Sequence, residues 1–303
     1  DMQSPPSADE LLAMDMPEEV LYAANDGVAV ITLNRPKEKN ALDQRLSLGL
    51  LIALARIRAR PSLRVVFLRG TGPMFCAGGD PKEFQRLAAA AAIPTADNAP
   101  DLNLESAQQF ARMLQELNEL PLYLVALANG TAMGGGVGLL SVCDYVVIKQ
   151  AAMLALSEVK LGVIPATISP YVVARIGGAR ARRLFITGEA IRAEQAREMG
   201  LVDETVASDD EMEQAAHRIL RTMQSAAPGA AAAAKALVLR VASSGPSDQA
   251  LIAHTAEELA RVRLTDECAA GMRAVLAREK PPWAEMPLVY PTAPTDCGRL
   301  KGS

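Results

Sequence analysis

The sequence predicts a layered α/β core followed by an all-helical C-terminal part. Three observations carry that reading. Short runs rich in β-branched and apolar residues alternate with stretches of helical periodicity over the first two hundred residues, as in helices packed on a sheet. From about Asp209 onward no strand pattern recurs, and the stretches 215–223, 230–241, 251–262 and 267–277 all read as helices. The chain has 303 residues, half of them apolar and 22% charged, enough for one large or two modest buried cores.

The elements follow in order. Residues 1–18 are polar and acidic and read as a mobile tail. Val28–Leu33 is a β-branched run ended by Asn34-Arg-Pro36, and so a strand. Leu46, Leu50, Leu54 and Ile57 mark one face of a helix that runs to about Arg60. Val65–Leu68 is a second strand, closed by Gly70-Thr-Gly72-Pro73. Asp80-Pro81-Lys82-Glu83 has the composition of a helix start, with an N-cap acid and proline at the first helical position. Ala88 to Leu104 is rich in Ala, Pro and Asn and reads as a pliable loop. Phe110, Met113, Leu114, Leu117 and Leu120 space as a helix face. Tyr123–Leu127 and Tyr145–Ile148 are a third and a fourth strand, and Ser169-Pro170 and Gly177 start and stop a short helix. The expected organisation is a tail over 1–18, an α/β core over 19–208, a helical region over 209–285 and a second tail over 286–303.

Composition narrows the chemistry. Lys and Arg number 31 against 35 Asp and Glu, and aromatics make up 4%, so the basic footprint and stacking residues of nucleic-acid binding are missing. The two histidines, His217 and His254, lie far apart and are expected on the surface of C-terminal helices, which leaves no multi-His metal site. Cys76, Cys143, Cys268 and Cys297 form no C-x-x-C pair and read as reduced thiols. Leu120 to Cys143 carries no charge but holds Pro121, Asn129, Thr131, Ser141 and five glycines; a strand, a glycine turn and a buried helix suit it better than a membrane span. The first nineteen residues show no Arg-rich or hydrophobic targeting pattern, so the expected location is the cytoplasm, or an organelle matrix if a presequence has been removed.

Two segments place glycines after a strand and before a helix: Met74-Phe-Cys-Ala-Gly78-Gly79-Asp80 and Asn129-Gly-Thr-Ala-Met-Gly134-Gly135-Gly136-Val-Gly138. Neither is a nucleotide motif. Leu139 stands where G-x-G-x-x-G needs its last glycine, and Gly136 stands where the P-loop needs lysine. Glycine turns let backbone N–H groups approach a ligand, and a helix N-terminus leaves such donors unpaired. Two such turns brought together would offer two donors to one oxygen, an oxyanion hole. Taken singly, each segment is better read as close packing of strand on helix.

Four motifs then resemble one family. Ile31-Thr-Leu-Asn-Arg-Pro36 with Asn40-Ala-Leu42, Phe75-Cys-Ala-Gly-Gly-Asp80, Gly134-Gly-Gly136 with Cys143-Asp144, and Ser157-Glu-Val-Lys-Leu-Gly-Val-Ile-Pro165 are similar in order and spacing to the enoyl-CoA hydratase/isomerase (crotonase) family over roughly residues 20–285. The resemblance implies a crotonase (ClpP-like) spiral of ββα repeats and a C-terminal helical region that forms a homotrimer or a dimer of trimers. It implies an acyl-CoA thioester as substrate, with no metal or other cofactor. It also implies that the N–H groups of Gly79 and Gly135 polarise the thioester carbonyl, with Gly136 and Gly138 of the same loop beside the substrate.

By the same resemblance, hydratases of the family carry two catalytic glutamates. One is present as Glu158, with Ser157 in place of the family's proline; the other position holds Gly138, which cannot transfer a proton. In its apolar surroundings Glu158 would be poised for proton transfer if desolvated, and would otherwise be a solvated loop carboxylate. One carboxylate suffices to hydrate a 2,3-enoyl-CoA, and equally to isomerise a 3-enoyl-CoA. The wording from Gly134 through Tyr171 resembles the branch assigned as methylglutaconyl-CoA or related branched enoyl-CoA hydratases, which favours hydration. A non-catalytic CoA-binding protein is the rival from another class. Backbone around Lys37–Ala41 and Ala77–Gly78 is implied to line the adenine pocket. Lys82 and Lys280 match positions near the CoA phosphates, or are ordinary surface lysines. Cys76 has no basic partner nearby in sequence and is not expected to be a nucleophile. Asp144 is expected to cap a helix–strand junction, and the Ala88–Leu104 loop either shapes the acyl pocket or is a plain insertion.

Overall fold

The computed structural model describes residues 6–91, 101–242 and 248–291. After helix α1 (Ala8–Ala13), strands β1 (Val20–Ala24) and β2 (Val28–Leu33) form an antiparallel hairpin. Helix α2 (Gln44–Arg58) returns the chain to β3 (Val65–Gly70), which pairs parallel with β2. From there strands come in pairs: β4 (Met74–Cys76) follows β3, β6 (Thr131–Met133) follows β5 (Tyr123–Ala128), and β8 (Met153–Ala155) follows β7 (Tyr145–Lys149). The first of each pair joins a six-stranded sheet in the order β1-β2-β3-β5-β7-β10, and the second joins a four-stranded sheet in the order β4-β6-β8-β9. Helices α3 (Pro81–Ala91) and α4 (Leu102–Asn118) follow the first pair, and α5 (Gly135–Ser141) follows the second. After the third pair come α6 (Ser169–Ile176) and α7 (Gly178–Thr187), then β9 (Ala190–Arg192), α8 (Ala193–Met199) and β10 (Glu204–Val206). The ββα unit thus recurs along a spiral. Beyond β10, the described elements are helical: α9 (Asp209–Gln224), α10 (Pro228–Ala242), α11 (Gln249–Arg263), α12 (Asp266–Ala277) and a 3-10 turn at Pro282–Ala284.

The large sheet is covered on both faces, which is why its strands read as unbroken apolar runs. Ala29, Ile31, Val66, Leu68, Leu124 and Ala126 face the main core under α2 and α4, while Val28, Val30, Val65, Phe67 and Val125 face a second core under α9. Arg64, at the start of β3 and only 5% exposed, donates to the carbonyls of Met223 and Ala226 at the end of α9 and of Trp283. Lys235 of α10 pairs with Asp144 at 2.7 Å, and Asp144 accepts from Leu124 N–H at 2.8 Å. Asp144 therefore joins β5, the start of β7 and α10.

Several expected boundaries differ. Residues 8–13, expected within a mobile tail, form α1, because Ser7 and Glu10 make a reciprocal capping box and Leu11 is buried against the core. Residues 286–291, also expected as tail, pack on the sheet: the Asn25 amide donates to the Val289 carbonyl, and Tyr290 lies 5.1 Å from Phe67. The expected loop over 88–104 is shortened, since α3 runs to Ala91 and α4 begins at Leu102 under an Asp101 cap. The three-residue strands of the small sheet carry too few residues to show periodicity.

Candidate active site

The small sheet positions the chemistry. β4 and β6 are parallel neighbours, so the glycine turns that follow them lie side by side. A Cβ built on Gly78, where φ is +87°, would sit 2.8 Å from the Met133 carbonyl oxygen and 3.4 Å from Gly135 N; only glycine allows this approach. On the outer side, Leu42 N–H donates to Gly78 O at 2.7 Å and Asp80 N–H donates to Leu42 O at 2.9 Å. Those bonds flank Gly79, whose own N–H therefore points away from Leu42. Gly134, at φ +48°, is the N-cap of α5 and donates to Ala155 O at 2.8 Å, which leaves Gly135 as the first helical residue. In the hydrogen bonding of the described residues, neither Gly79 N–H nor Gly135 N–H has a protein acceptor.

Glu158 opens a 3-10 turn, Glu158–Leu161, that follows β8 and ends at Gly162 in the left-handed region. Its carboxylate leans over Gly134: a Cβ there would lie 3.0 Å from Oε1. Oε2 is buried and has no hydrogen-bond partner. Burial pushes the Glu158 pKa above its ordinary 4.5, with a backbone hydrogen bond within the residue opposing the shift. The glycine turns and Glu158 share a cavity of about 580 Å³ whose apolar wall includes Phe84, Leu87, Phe110, Leu161 and Ile168. An unpaired carboxylate oxygen beside two idle N–H donors is a proton carrier next to an anion-stabilising pair.

Of the residues singled out in the sequence, Gly79, Gly135, Glu158, Ala77 and Gly78 line this cavity. Lys37, Lys82 and Lys280 are exposed and Ala41 is buried, and none of the four lines the cavity. Gly136 and Gly138 are buried inside α5 and do not face the cavity. A Cβ at Gly136 would meet Cys76 O at 2.6 Å, and one at Gly138 would meet Ile168 Cγ2 at 2.2 Å. Ile168 thus occupies the space that a glutamate at position 138 would need. Cys76 is fully buried and its thiol is pushed up to about 12, so it holds its proton. Ala88 and Asn103, from the two ends of the expected loop, do line the cavity. Phe84, Phe110 and Ile168 complete the wall; at Phe110 helical spacing marks one face of α4 without telling a core from a cavity.

With this geometry in hand, the family model described as enoyl-CoA hydratase/isomerase matches residues 23–286. The chain belongs to the enoyl-CoA hydratase/isomerase family. It is similar to AtuE of Pseudomonas aeruginosa, a solved structure with 36% identity and a TM-score of 0.82, over 88% of this chain and all of that one. An enoyl-CoA hydratase/isomerase structure from Marinobacter aquaeolei gives 33% identity and a TM-score of 0.81, covering 89% of this chain and 100% of that one. The enoyl-CoA isomerase/hydratase fer4 of Mycosarcoma maydis is 32% identical over 219 residues, 69% of this chain and 76% of that protein. The crotonase spiral is the fold of this chain, and an acyl-CoA is the substrate its family implies. Among the described residues no helix is long and apolar enough to cross a membrane, and no group of three or more His, Cys, Asp or Glu could hold a metal ion.

Proposed function

We propose that this protein adds water across the double bond of a 2-enoyl-CoA. The observation that carries the reading is the buried, unpartnered Glu158 Oε2 in the same cavity as the undonated Gly79 and Gly135 N–H groups. The thioester oxygen accepts from both N–H groups, which draws electron density from C3. Glu158 takes a proton from water as the water oxygen bonds to C3. The negative charge passes to the thioester oxygen as an enolate held by the two donors. Glu158 then returns the proton to C2, and the enolate collapses to the 3-hydroxyacyl thioester. Free donors lining a largely apolar cavity act at low dielectric once the thioester fills it, where each contributes several kcal/mol of barrier lowering, on the order of 3.

The acyl group we assign is branched, on the likeness of the Gly134–Tyr171 wording to methylglutaconyl-type hydratases; a cavity of about 580 Å³ has room for it. Lys82 at the start of α3 and Lys280 are our candidates for the CoA phosphates, since both are exposed and charged. A trimer, or a dimer of trimers, would cover Leu264, Val275 and Leu276, which are 88%, 73% and 86% exposed on the C-terminal helices.

A second reading is 3-enoyl-CoA isomerisation, in which Glu158 carries one proton from C2 to C4 or back. The Ile168 side chain against Gly138 favours it, because no second acid can stand there to hold the attacking water. Panels of 2-enoyl- and 3-enoyl-CoA substrates, including methylglutaconyl-CoA, separate the two through the absorbance of the conjugated thioester. Loss of conjugation from 2-enoyl substrates supports hydration; its appearance from 3-enoyl substrates supports isomerisation. Neither change, with CoA still bound, would overturn both in favour of a binding protein.

A further inference from the structure

Two helix N-caps and one guanidinium meet behind the first glycine turn. Asp43 caps α2, its Oδ1 accepting from Leu46 N–H at 2.8 Å, and Asp80 starts α3, its Oδ1 accepting from Lys82 N–H at 2.9 Å. The other oxygen of each carboxylate turns to Arg35 Nη2, at 3.3 Å for Asp43 and 3.0 Å for Asp80. Arg35 Nη1 donates to the Ala41 carbonyl, next to the Leu42 that brackets Gly79. The three side chains are 14%, 17% and 8% exposed, so water screens them weakly. Arg35 is itself held: its N–H donates at 2.8 Å to Oδ1 of Asn40, a fully buried residue at φ +54° that donates in turn to the Thr71 and Met74 carbonyls.

We propose that Arg35 is the positioning residue for the Gly79 N–H, an inference that rests on the oxyanion reading above. Asp80 follows Gly79 directly, so the Asp80 carboxylate fixes where the Gly79 peptide points. One cation holds both carboxylates; among the described residues no other Lys or Arg forms an ion pair with either. Without it, two weakly hydrated carboxylates that shared a single nitrogen face each other and repel. Each also keeps its helix cap, so neither can leave without uncapping a helix. The Gly78–Gly79 turn is joined to Asp80 directly and to Leu42 by hydrogen bonds, so a shift of either carboxylate turns the Gly79 N–H off the thioester oxygen. Arg35 touches no reacting atom; it acts through Asp80 and Ala41.

The test uses cinnamoyl-CoA, whose conjugated thioester absorbs further to the red when its carbonyl is polarised. Wild-type protein should red-shift the bound probe. Arg35→Gln should lose most of that shift and lower kcat about 10²-fold, the usual effect of losing one oxyanion donor, while KM changes by less than about 3-fold. Arg35→Lys, with one charge and no fork, should fall between. Asp43→Ser in the Arg35→Gln background keeps an N-cap and removes one repelling charge, and should recover part of both shift and kcat. If Arg35→Gln fails to fold, the Lys variant and the double variant decide by the same shift. A full wild-type shift in every foldable Arg35 variant overturns this proposal alone. A wild-type protein that binds the probe with no shift overturns the oxyanion reading and this proposal with it.

Discussion

Gly138→Ala is a one-carbon change with a specific expected cost. The added Cβ would lie 2.2 Å from Ile168 Cγ2 and 2.9 Å from Ile168 Cβ, against about 3.5–4.0 Å for a relaxed carbon–carbon contact. Both partners are buried, Gly138 inside α5 and Ile168 at 2% exposure, so neither can move into open solvent. Overpacking of this kind costs about 1–3 kcal/mol, or roughly 2–10 °C in Tm for a chain of this size. The geometry also predicts which second change relieves it. Ile168→Val keeps the clashing Cγ2 methyl and should rescue nothing, whereas Ile168→Ala removes it. Alone, Ile168→Ala costs about 2–5 kcal/mol, so the Gly138→Ala/Ile168→Ala pair should be more stable than the sum of its singles by about 1–3 kcal/mol. Calorimetric or denaturant unfolding of the cycle at fixed protomer concentration measures this. A Gly138→Ala protein as stable as wild type, or a Val variant that rescues as well as Ala, would refute the packing argument and with it the explanation of the missing second acid.

Glu158→Gln should lower kcat by about 10²–10⁴ while thioester binding stays within a few fold, read by single-turnover kinetics and calorimetric titration. The same variant should be slightly more stable than wild type near pH 7 in denaturant unfolding, because it removes the charge of a half-buried carboxylate whose Oε2 has no partner. The pH dependence has a definite sign: burial raises the folded pKa of Glu158 above 4.5, so protonating Glu158 costs less in the folded protein than in the unfolded chain. Its stabilisation is fully present below the unfolded value and is lost as pH rises through the raised folded value, while activity falls as pH drops through that same value. Lys235→Met should leave Asp144 without its cation, and hydrogen exchange should quicken across α10 while the β5 amides stay protected. Cys76 and Cys143, both buried with thiols pushed up to about 12, should resist alkylation at pH 8 until denaturant is added, as peptide mass spectrometry would show.

The long elements were legible because each has its own signal. Leu46, Leu50, Leu54 and Ile57 are all buried on α2, and the runs at 28–33, 65–68, 123–127 and 145–148 are all strands of the large sheet. The small sheet was not legible. Its strands are three residues long and owe their existence to pairing with segments distant in sequence, such as Met74 with Thr131. α1 was missed for a different reason: its stability comes from one capping box and the burial of Leu11, too little for periodicity to register. At the site, the glycines announced close approach of backbones, and Gly78 against Gly135 N is such an approach. The sequence could not show that Gly138 faces Ile168, since that contact joins α5 to the start of α6. Nor could it show that Arg35 serves two carboxylates, because Asp80 lies 45 residues away along the chain.

The central claim is that Glu158 alone moves the proton at C2 while Gly79 and Gly135 hold the enolate. Turnover in D₂O with mass-spectrometric and NMR readout of the product's C2 position tests it most directly. Wild-type protein should place one deuterium at C2 on a single face, and Glu158→Gln should place none above the uncatalysed background while still binding the thioester. Deuterium at C2 in the glutamine variant at the wild-type rate would contradict the account, because some other group would then be carrying the proton.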